Sequence, residues 1–202
     1  GAHYADTNPK RAQSLKSEEI EGGTQEVSSG DVYMQYEWKP VENLTMLPGI
    51  RLEEHSTFGE HVNASINVMY NPHPRVRIRG FHGGGFRAPS IKELYFRFDH
   101  SAAGYIVIGG GEDLNPEKSR NSSLSLEYSY EGIGLHRITY FYNDINDMIE
   151  FNLTGFSPTY WRGIYKYQNV FKAYTRGIEW QSELKINHHV DFSASYTWLT
   201  AK

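Results

Sequence analysis

Several side chains in this sequence could carry chemistry, but their spacing does not form a catalytic centre. The 202 residues include no Cys, which excludes disulfides, thiolate metal sites and cysteine nucleophiles. Ser, His and Asp are plentiful, yet they do not show the spacing of a nucleophile elbow. Gly109-Gly110-Gly111 has the glycine content of a phosphate cradle, but no Gly-Lys-Ser/Thr follows it. We therefore expect neither an enzyme nor an intrinsic cofactor.

An alternating arginine run is the clearest charged pattern. Arg75, Arg77 and Arg79 fall on one face of a predicted strand, while Val76 and Ile78 fall on the other. The arginine face must meet water, because burying unpaired charges is very costly. These guanidinium groups could attract an anionic ligand, or they could pair with acidic residues of a neighbouring strand. We favour the pairing interpretation.

Aromatic residues form a second candidate binding chemistry. The chain holds 15 Tyr, 10 Phe and 4 Trp although only 39% of its residues are hydrophobic. Tyr160 and Trp161, with Tyr165 and Tyr167 close by, could serve as stacking platforms for a glycan. The formal net charge is −4 and the basic residues are dispersed, so we expect no nucleic-acid partner.

The elements that must position these residues are strands. Alternation of apolar and polar residues begins at Asp31 and predicts an all-β, antiparallel up-and-down meander of about eight long strands. Strands of roughly 9–11 residues can cross a bilayer with tilt, so the meander is interpreted as part of a larger transmembrane β-barrel. Residues 1–30 are polar and rich in breakers, which predicts a loop or arm before a partial barrel domain at residues 31–202.

The predicted connections alternate between short and long. Short turns are expected near residues 40–43, 71–74, 131–134 and 187–189, and long loops near residues 53–61, 86–117 and 151–168. This one-sided distribution is typical of the short periplasmic turns and long extracellular loops of outer-membrane barrels. A soluble antiparallel sheet shares the alternation, so a soluble β-rich ligand- or glycan-binding module is the alternative.

The alternation also predicts which side chains share a face. One continuous apolar surface should hold Val32, Met34, Tyr36, Trp38, Leu124, Leu126, Tyr128, Phe192, Tyr196 and Trp198. The opposite face should hold Arg75, Arg77, Arg79, Glu127 and Glu179. Because a partial barrel has open edges, the isolated chain is expected to need detergent, to close on itself or to associate edge to edge.

Several segments resemble sequences of TonB-dependent outer-membrane receptors. Phe86-Arg87-Ala88-Pro89 resembles the Phe-Arg-Ala-Pro box of that family, and residues 112–119 are similar to its Asn-Pro-Asp-Leu-Lys-Pro-Glu-Ser segment. Residues 36–39, 47–51, 140–145 and 175–179 resemble its barrel strands in the same order. The resemblance covers about residues 31–202 and implies the wall of a roughly 22-stranded barrel. Neither a plug domain nor a TonB box is recognisable.

The resemblance implies a function and a location. It points to a fragment of a receptor for active uptake of haem or another iron chelate, such as a siderophore, or of cobalamin. The location would be the bacterial outer membrane. The partners would be outer-membrane lipid, the nutrient ligand and, in the intact parent, the plug domain and the TonB complex.

The resemblance also implies a role for His100. Haem receptors of this family carry a His between the two boxes as an axial ligand of haem iron, and His100 lies in this interval. The plain alternative is a solvated loop histidine, and His61 or His82 could approach the same vestibule. The candidate ligand-binding residues are His100, Tyr95, Phe98, Tyr105, Arg87, Tyr160 and Trp161. His100 is the candidate metal ligand, with haem as the transported ligand.

Overall fold

The computed structural model describes residues 2–3, 18–20, 26–100, 103–130, 133–157 and 162–202, most of which lie in strands. The strands are β1 (Ala2–His3), β2 (Glu18–Ile20), β3 (Ser29–Gln35), β4 (Trp38–Val41), β5 (Leu44–His55), β6 (Gly59–His73), β7 (Val76–Arg87), β8 (Phe96–His100), β9 (Tyr105–Ile108), β10 (Glu117–Tyr130), β11 (Gly134–Ser157), β12 (Arg162–Asn187) and β13 (Val190–Ala201). One short helix, α1, spans Ile91–Tyr95. No helix in the described part of the chain is long and apolar enough to cross a membrane.

The long strands form an antiparallel meander. β5, β6, β7, β10, β11 and β12 lie side by side in chain order, with β3 and β4 against β5 at one end and β13 against β12 at the other. If β3 and β4 are counted as one interrupted strand, the meander has eight strands, which confirms the fold class predicted from the alternation. The sheet formed by the described residues is open, because β13 and β3 do not meet.

Two of the segments that were expected to form long loops consist mainly of paired β-strands. β5 and β6 stay paired up to His55 and Gly59, so a turn at residues 56–58 replaces the loop expected near residues 53–61. β11 and β12 stay paired up to Ser157 and Arg162, where a loop was expected near residues 151–168. Both expectations were wrong because the polar character of these segments does not prevent cross-strand hydrogen bonding outside the bilayer. Alternation of apolar residues is strongest in the part of a strand that meets lipid.

The short turns lie at the opposite end of the meander. Glu42 and Asn43 form the first turn, and His188 and His189 form the last, as predicted. β6 continues to His73, so the intervening turn lies at Pro74 and Arg75 and not at residues 71–74. Arg75 is consequently a turn residue, and the strand face predicted to carry it begins with Arg77.

The register places the predicted apolar residues on one surface. One row of directly paired residues crosses seven strands and contains Leu44, Tyr70, Ile78, Leu126, Ile138, Trp180 and Tyr196. The next row contains Trp38, Met46, Val68, Gly80, Leu124, Tyr140, Ile178 and Trp198. Leu126 remains 51% exposed and Trp198 57% exposed. A continuous exposed apolar band of this extent is the lipid-facing surface of a barrel.

The opposite face carries a row of charges. Arg77 donates to Glu127 at 2.8 Å, and Arg137 on the next strand donates to the other oxygen of Glu127 at 2.7 Å. Arg137 also donates to Gln181 at 3.2 Å, so the row continues onto β12. Glu127 is only 5% exposed, although its face is the polar one. The prediction that the arginines pair with acidic residues of a neighbouring strand is confirmed for Arg77.

We predict that the two faces of β10 tolerate charge very differently. Leu126→Arg in the intact receptor places a cation in hydrocarbon and should lower the free energy of unfolding by about 2–4 kcal/mol. Ser123→Arg adds the same side chain to the polar face and should cost less than about 1 kcal/mol. Urea titration in lipid vesicles measures both values, and equal costs for the two variants would contradict the assignment of faces.

Candidate ligand-binding site

The segment between β7 and β10 is a folded excursion with its own small core. α1 is followed by the β8–β9 hairpin and by a 3₁₀ turn at Gly111–Asp113. The buried apolar side chains among the described residues are Leu94, Val107 and Leu114, and all of them lie in this excursion. The remainder of the described chain is a single layer and buries its apolar side chains less completely.

Ser90 begins α1 with a reciprocal capping box. The Ser90 hydroxyl accepts a hydrogen bond from the Glu93 amide at 3.2 Å, and the Glu93 carboxylate accepts from the Ser90 amide at 2.7 Å. This arrangement satisfies amide donors that would otherwise have no partner at the start of a helix. It also fixes the orientation of the Glu93 carboxylate.

Arg87 joins α1 to the barrel strands. Its Nε and Nη2 atoms donate to both oxygens of Glu117 at 2.7 and 2.6 Å, which is the bidentate geometry of a strong Arg–carboxylate pair. Its Nη1 atom donates to Glu93 at 3.0 Å. The Oε1 atom of Glu117 also accepts from the amide of Ile149 on β11 at 2.7 Å. We call Arg87, Glu93 and Glu117 the arginine clamp.

The arginine clamp holds its three groups in the charged state. Hydrogen bonds with Glu117 raise the pKa of Arg87 above its already high ordinary value. The hydrogen bonds from Arg87 lower the pKa of Glu117, with a smaller contribution from the Ile149 amide. Burial alone would raise the pKa of Glu93, but the bonds from Arg87 and Ser90 outweigh it, so this pKa also lies below its ordinary value.

The β8–β9 hairpin docks on the extended end of β12. Within the hairpin, Arg97 pairs with Ile108 and His100 with Tyr105 in antiparallel register. β9 then pairs with β12 in parallel, from Tyr105 opposite Gly163 to Ile108 opposite Lys166. The short strand β2 covers the other edge of β8. The hairpin is therefore attached to the end of the sheet opposite the short turns, which is the extracellular end of an outer-membrane barrel.

Aromatic rings accumulate where the hairpin meets β11 and β12. The His100 ring lies parallel to Tyr105 with centroids 5.1 Å apart, and Phe98 lies 5.2 Å from His100. Tyr105 meets Tyr165 edge to face at 6.2 Å, and Tyr165 stacks on Phe151 at 5.1 Å. We call Phe98, His100, Tyr105, Phe151 and Tyr165 the aromatic cluster. Such a surface can hold a ligand that carries aromatic or planar groups.

The structure brings together only some of the predicted site residues. Phe98, His100 and Tyr105 are joined in the aromatic cluster, whereas Tyr95 lies on α1 outside its ring contacts. The donors of Arg87 are engaged in the arginine clamp. Tyr160 and Trp161 lie outside the described residues.

Of the two histidines proposed to approach the same vestibule, His82 faces outward, and the approach of His61 stays a prediction. His82 is paired with Ile66 on β6 and with Ser122 on β10. These positions belong to the face of the sheet that carries the apolar band, so His82 points outward. The His61 ring stacks on Phe86 at 3.6 Å between β6 and β7. Among the described residues, no group of three or more His, Cys, Asp or Glu side chains could hold a metal ion.

Sequence reasoning missed Phe151 as a member of the cluster. It was placed at the start of an expected loop, but it lies in β11 directly opposite Tyr167. The alternation of Phe151 and Leu153 on one strand with Tyr165 and Tyr167 on the other is a period-two signal that could have revealed the pairing.

A family model described as "TonB dependent receptor-like, beta-barrel" matches residues 2–202. The chain belongs to the TonB-dependent receptor family. This assignment confirms the resemblance seen in the Phe-Arg-Ala-Pro box and makes the soluble glycan-binding module untenable as an alternative. Relatives of the chain are receptors and transporters and not enzymes.

Curated relatives and solved structures agree with the assignment. The chain is 32% identical over 173 residues to the iron-regulated outer membrane virulence protein of Vibrio cholerae serotype O1, covering 82% of this chain and 26% of that protein. It is 28% identical to the ferric enterobactin receptor of Pseudomonas aeruginosa, covering 77% and 23%. The siderophore receptor PirA of Pseudomonas aeruginosa superposes with a TM-score of 0.77 at 22% identity, covering 88% of this chain and 35% of that one.

These comparisons establish the fold and the location of the chain and show what share of its relatives' length it covers. The structural likeness shows that this receptor barrel shares the fold of the solved siderophore receptors. The expected location in the bacterial outer membrane is confirmed. The chain spans about a quarter of the length of the curated relatives it matches.

We predict that acid releases the arginine clamp. The pKa of Glu117 is lowered on folding, so the stability that it contributes is complete above its ordinary pKa of 4.5 and is lost as the pH falls through the lower folded value. Glu117→Gln should therefore accelerate hydrogen exchange at the Ile149 amide about threefold to tenfold between pH 7 and 5. The rates of the two proteins should converge only once the pH has fallen below the lowered pKa of Glu117 in the folded protein.

The matched control is Glu150→Gln, which removes a neighbouring carboxylate on β11 without touching the clamp. It should leave exchange at Ile149 unchanged at every pH. Equal exchange rates at Ile149 for wild type and Glu117→Gln at pH 7 would contradict the proposed role of the charged carboxylate.

Proposed function

We propose that the intact receptor containing this chain takes up a ferric siderophore that carries aromatic groups, and that the aromatic cluster forms part of its extracellular binding surface. The observation that carries the proposal is the convergence of Phe98, His100 and Tyr105 with Tyr165 and Phe151 at the extracellular end of the barrel. The relatives named for ferric enterobactin support an iron chelate as the ligand.

The cluster suits such a ligand for two physical reasons. Its rings come from β8, β9, β11 and β12, so the hydrogen-bonded strands fix their positions before any ligand arrives. Preorganised rings lose little conformational entropy on binding, and each aromatic contact contributes attraction beyond the area it buries.

Transport requires parts of the receptor outside this chain. We infer that the barrel wall encloses a plug domain and that energy for uptake comes from the TonB complex, as family membership suggests. The polar inward face, with its row of Arg77, Glu127 and Arg137, supplies a hydrated wall against which a plug can move. This chain contributes part of the wall and one extracellular binding surface.

The aromatic cluster should determine affinity for the siderophore. Replacing two of its rings, Phe98→Ala with Tyr105→Ala, in the intact receptor should raise the Kd for ferric enterobactin about tenfold, because two stacking contacts are lost. Fluorescence titration of the detergent-purified receptor measures the Kd.

The control removes two aromatic rings that lie outside the cluster, Phe58→Ala with Tyr130→Ala. Phe58 lies in the β5–β6 turn and Tyr130 at the opposite end of β10. Equal affinities for the two double variants would contradict a role of the cluster in binding. Unchanged hydrogen exchange at Ile149 would show that the arginine clamp is intact in both.

Haem is a second candidate ligand, and His100 is the observation that favours it. The His100 ring is exposed at the end of β8, and Tyr105 covers one of its faces. A neutral imidazole in this position can ligate haem iron, and Phe98 can contact the porphyrin plane.

If haem is the ligand, His100→Ala should abolish the shift of the Soret band that accompanies haem binding, because the iron loses its axial ligand. Barrel assembly should not change, since His100 lies in a surface hairpin. Haem titration of the intact receptor followed by its Soret band measures the effect, with His188→Ala in a distant turn as the control. An unchanged spectrum would remove His100 as a ligand and favour the siderophore, or cobalamin as for the relative in Vibrio vulnificus.

A further inference from the structure

On the outward face of β10 to β13, basic residues replace apolar residues beyond the extracellular edge of the apolar band. In the band, Leu124, Tyr140, Ile178 and Trp198 occupy successive paired positions. In the next three rows towards the arginine clamp, the same outward register presents five basic residues, namely Lys118, Arg120, Lys172, Arg176 and Lys202. All five are exposed.

Two tyrosines lie in the two of these rows that are nearest the band, Tyr142 in the row of Arg176 and Tyr174 in the row of Arg120. Tyr142 and Tyr174 stack with ring centroids 6.1 Å apart, and the Arg176 guanidinium lies 5.8 Å from the Tyr174 ring. Tyr and Trp concentrate at the membrane–water interface of barrels, because their rings enter the apolar region while their polar atoms reach water. The basic side chains beside them therefore lie at the level of the lipid headgroups of the extracellular leaflet.

Carboxylates of the barrel do not neutralise the positive charge of this surface. In those three rows the outward positions include one carboxylate, that of Asp144, whose Oδ1 atom lies 3.4 Å from the Lys172 ammonium. No described carboxylate lies within ion-pair distance of Lys118, Arg120 or Arg176. Guanidinium and ammonium groups in such a setting favour a phosphate as their partner.

We propose that Lys118, Arg120, Lys172 and Arg176 form a binding site for the phosphate groups of an anionic lipid in the extracellular leaflet. Arg120 is in the row of Tyr174, so Arg176 lies two strands across and two residues along from it, and the Cα atoms of the two arginines are separated by roughly 12 Å. A headgroup that carries two phosphates spans this distance, and its acyl chains then lie along the apolar band directly below. A free phosphate would gain nothing from that band.

The test measures lipid binding to the detergent-purified intact receptor by native mass spectrometry. The probes are diphosphoryl lipid A, its dephosphorylated form and inorganic phosphate. The test variant combines the substitutions Lys118→Gln, Arg120→Gln, Lys172→Gln and Arg176→Gln. It should weaken binding of diphosphoryl lipid A about tenfold or more, since four charge contacts are lost. The dephosphorylated lipid should bind wild type and variant equally weakly.

The control has the same change of charge at sites away from this surface. It combines Lys39→Gln, Arg75→Gln, Lys92→Gln and Lys185→Gln and should bind diphosphoryl lipid A within about twofold of wild type. Equal losses in both variants, or no loss in either, would overturn the proposal. Complete displacement of the lipid by millimolar inorganic phosphate would assign the site to a free anion and would also overturn it.

A variant that fails to assemble is replaced by two smaller ones. Lys118→Gln with Arg120→Gln, and Lys172→Gln with Arg176→Gln, each test one side of the site and should each weaken binding about threefold. Heat-dependent mobility on gels confirms that each barrel is folded. Two folded pairs with wild-type affinity would refute the site. The outcome is independent of which nutrient the receptor carries.

Discussion

The backbone register of the long strands is the constraint on which the remaining structure depends. In hydrocarbon every amide and carbonyl group needs a partner within the protein, so β10 pairs without a break with β7 on one side and β11 on the other. A slip of one residue would exchange the lipid-facing and inward-facing side chains along the whole strand. The pairing of Glu127 with Arg77 and Arg137 supports this register, because each partner lies directly opposite on its own strand.

The arginine clamp transfers that register to the excursion that carries the aromatic cluster. Arg87 ends β7 and Glu117 begins β10, so their positions are fixed by the same ladder that crosses the bilayer. Glu93 then ties α1 to this pair, and the excursion packs its small core around Leu94 and Leu114. The aromatic cluster is consequently held by the barrel itself, although it lies on an excursion between two strands.

The sequence allowed the membrane-spanning part to be predicted well and the extracellular part poorly. Alternation of residues such as Leu124 and Leu126 with polar neighbours is imposed by two different solvents, and it revealed the number of strands and their faces. Above the bilayer both faces of a strand meet water, so the alternation is confined to short stretches such as Phe151 and Leu153, and β11 and β12 were expected to end too early. His100, Phe98 and Tyr105 were identified through the family boxes. Their meeting with Phe151 depends on a parallel pairing between distant segments, which no local pattern encodes.

The parallel pairing of β9 with β12 also sets an order of events during assembly. Residue 105 finds its partner at residue 163 only after β10, β11 and the extended end of β12 have been placed. Pairings between distant segments form slowly, because the entropy of closing a long loop must be overcome first. Before that pairing forms, β9 of the hairpin that bears His100 has β8 as its strand partner and lacks β12. Until that end of β12 is in place, the edge of the hairpin that faces it carries unpaired amide and carbonyl groups, which makes the hairpin a template for pairing with the wrong strand.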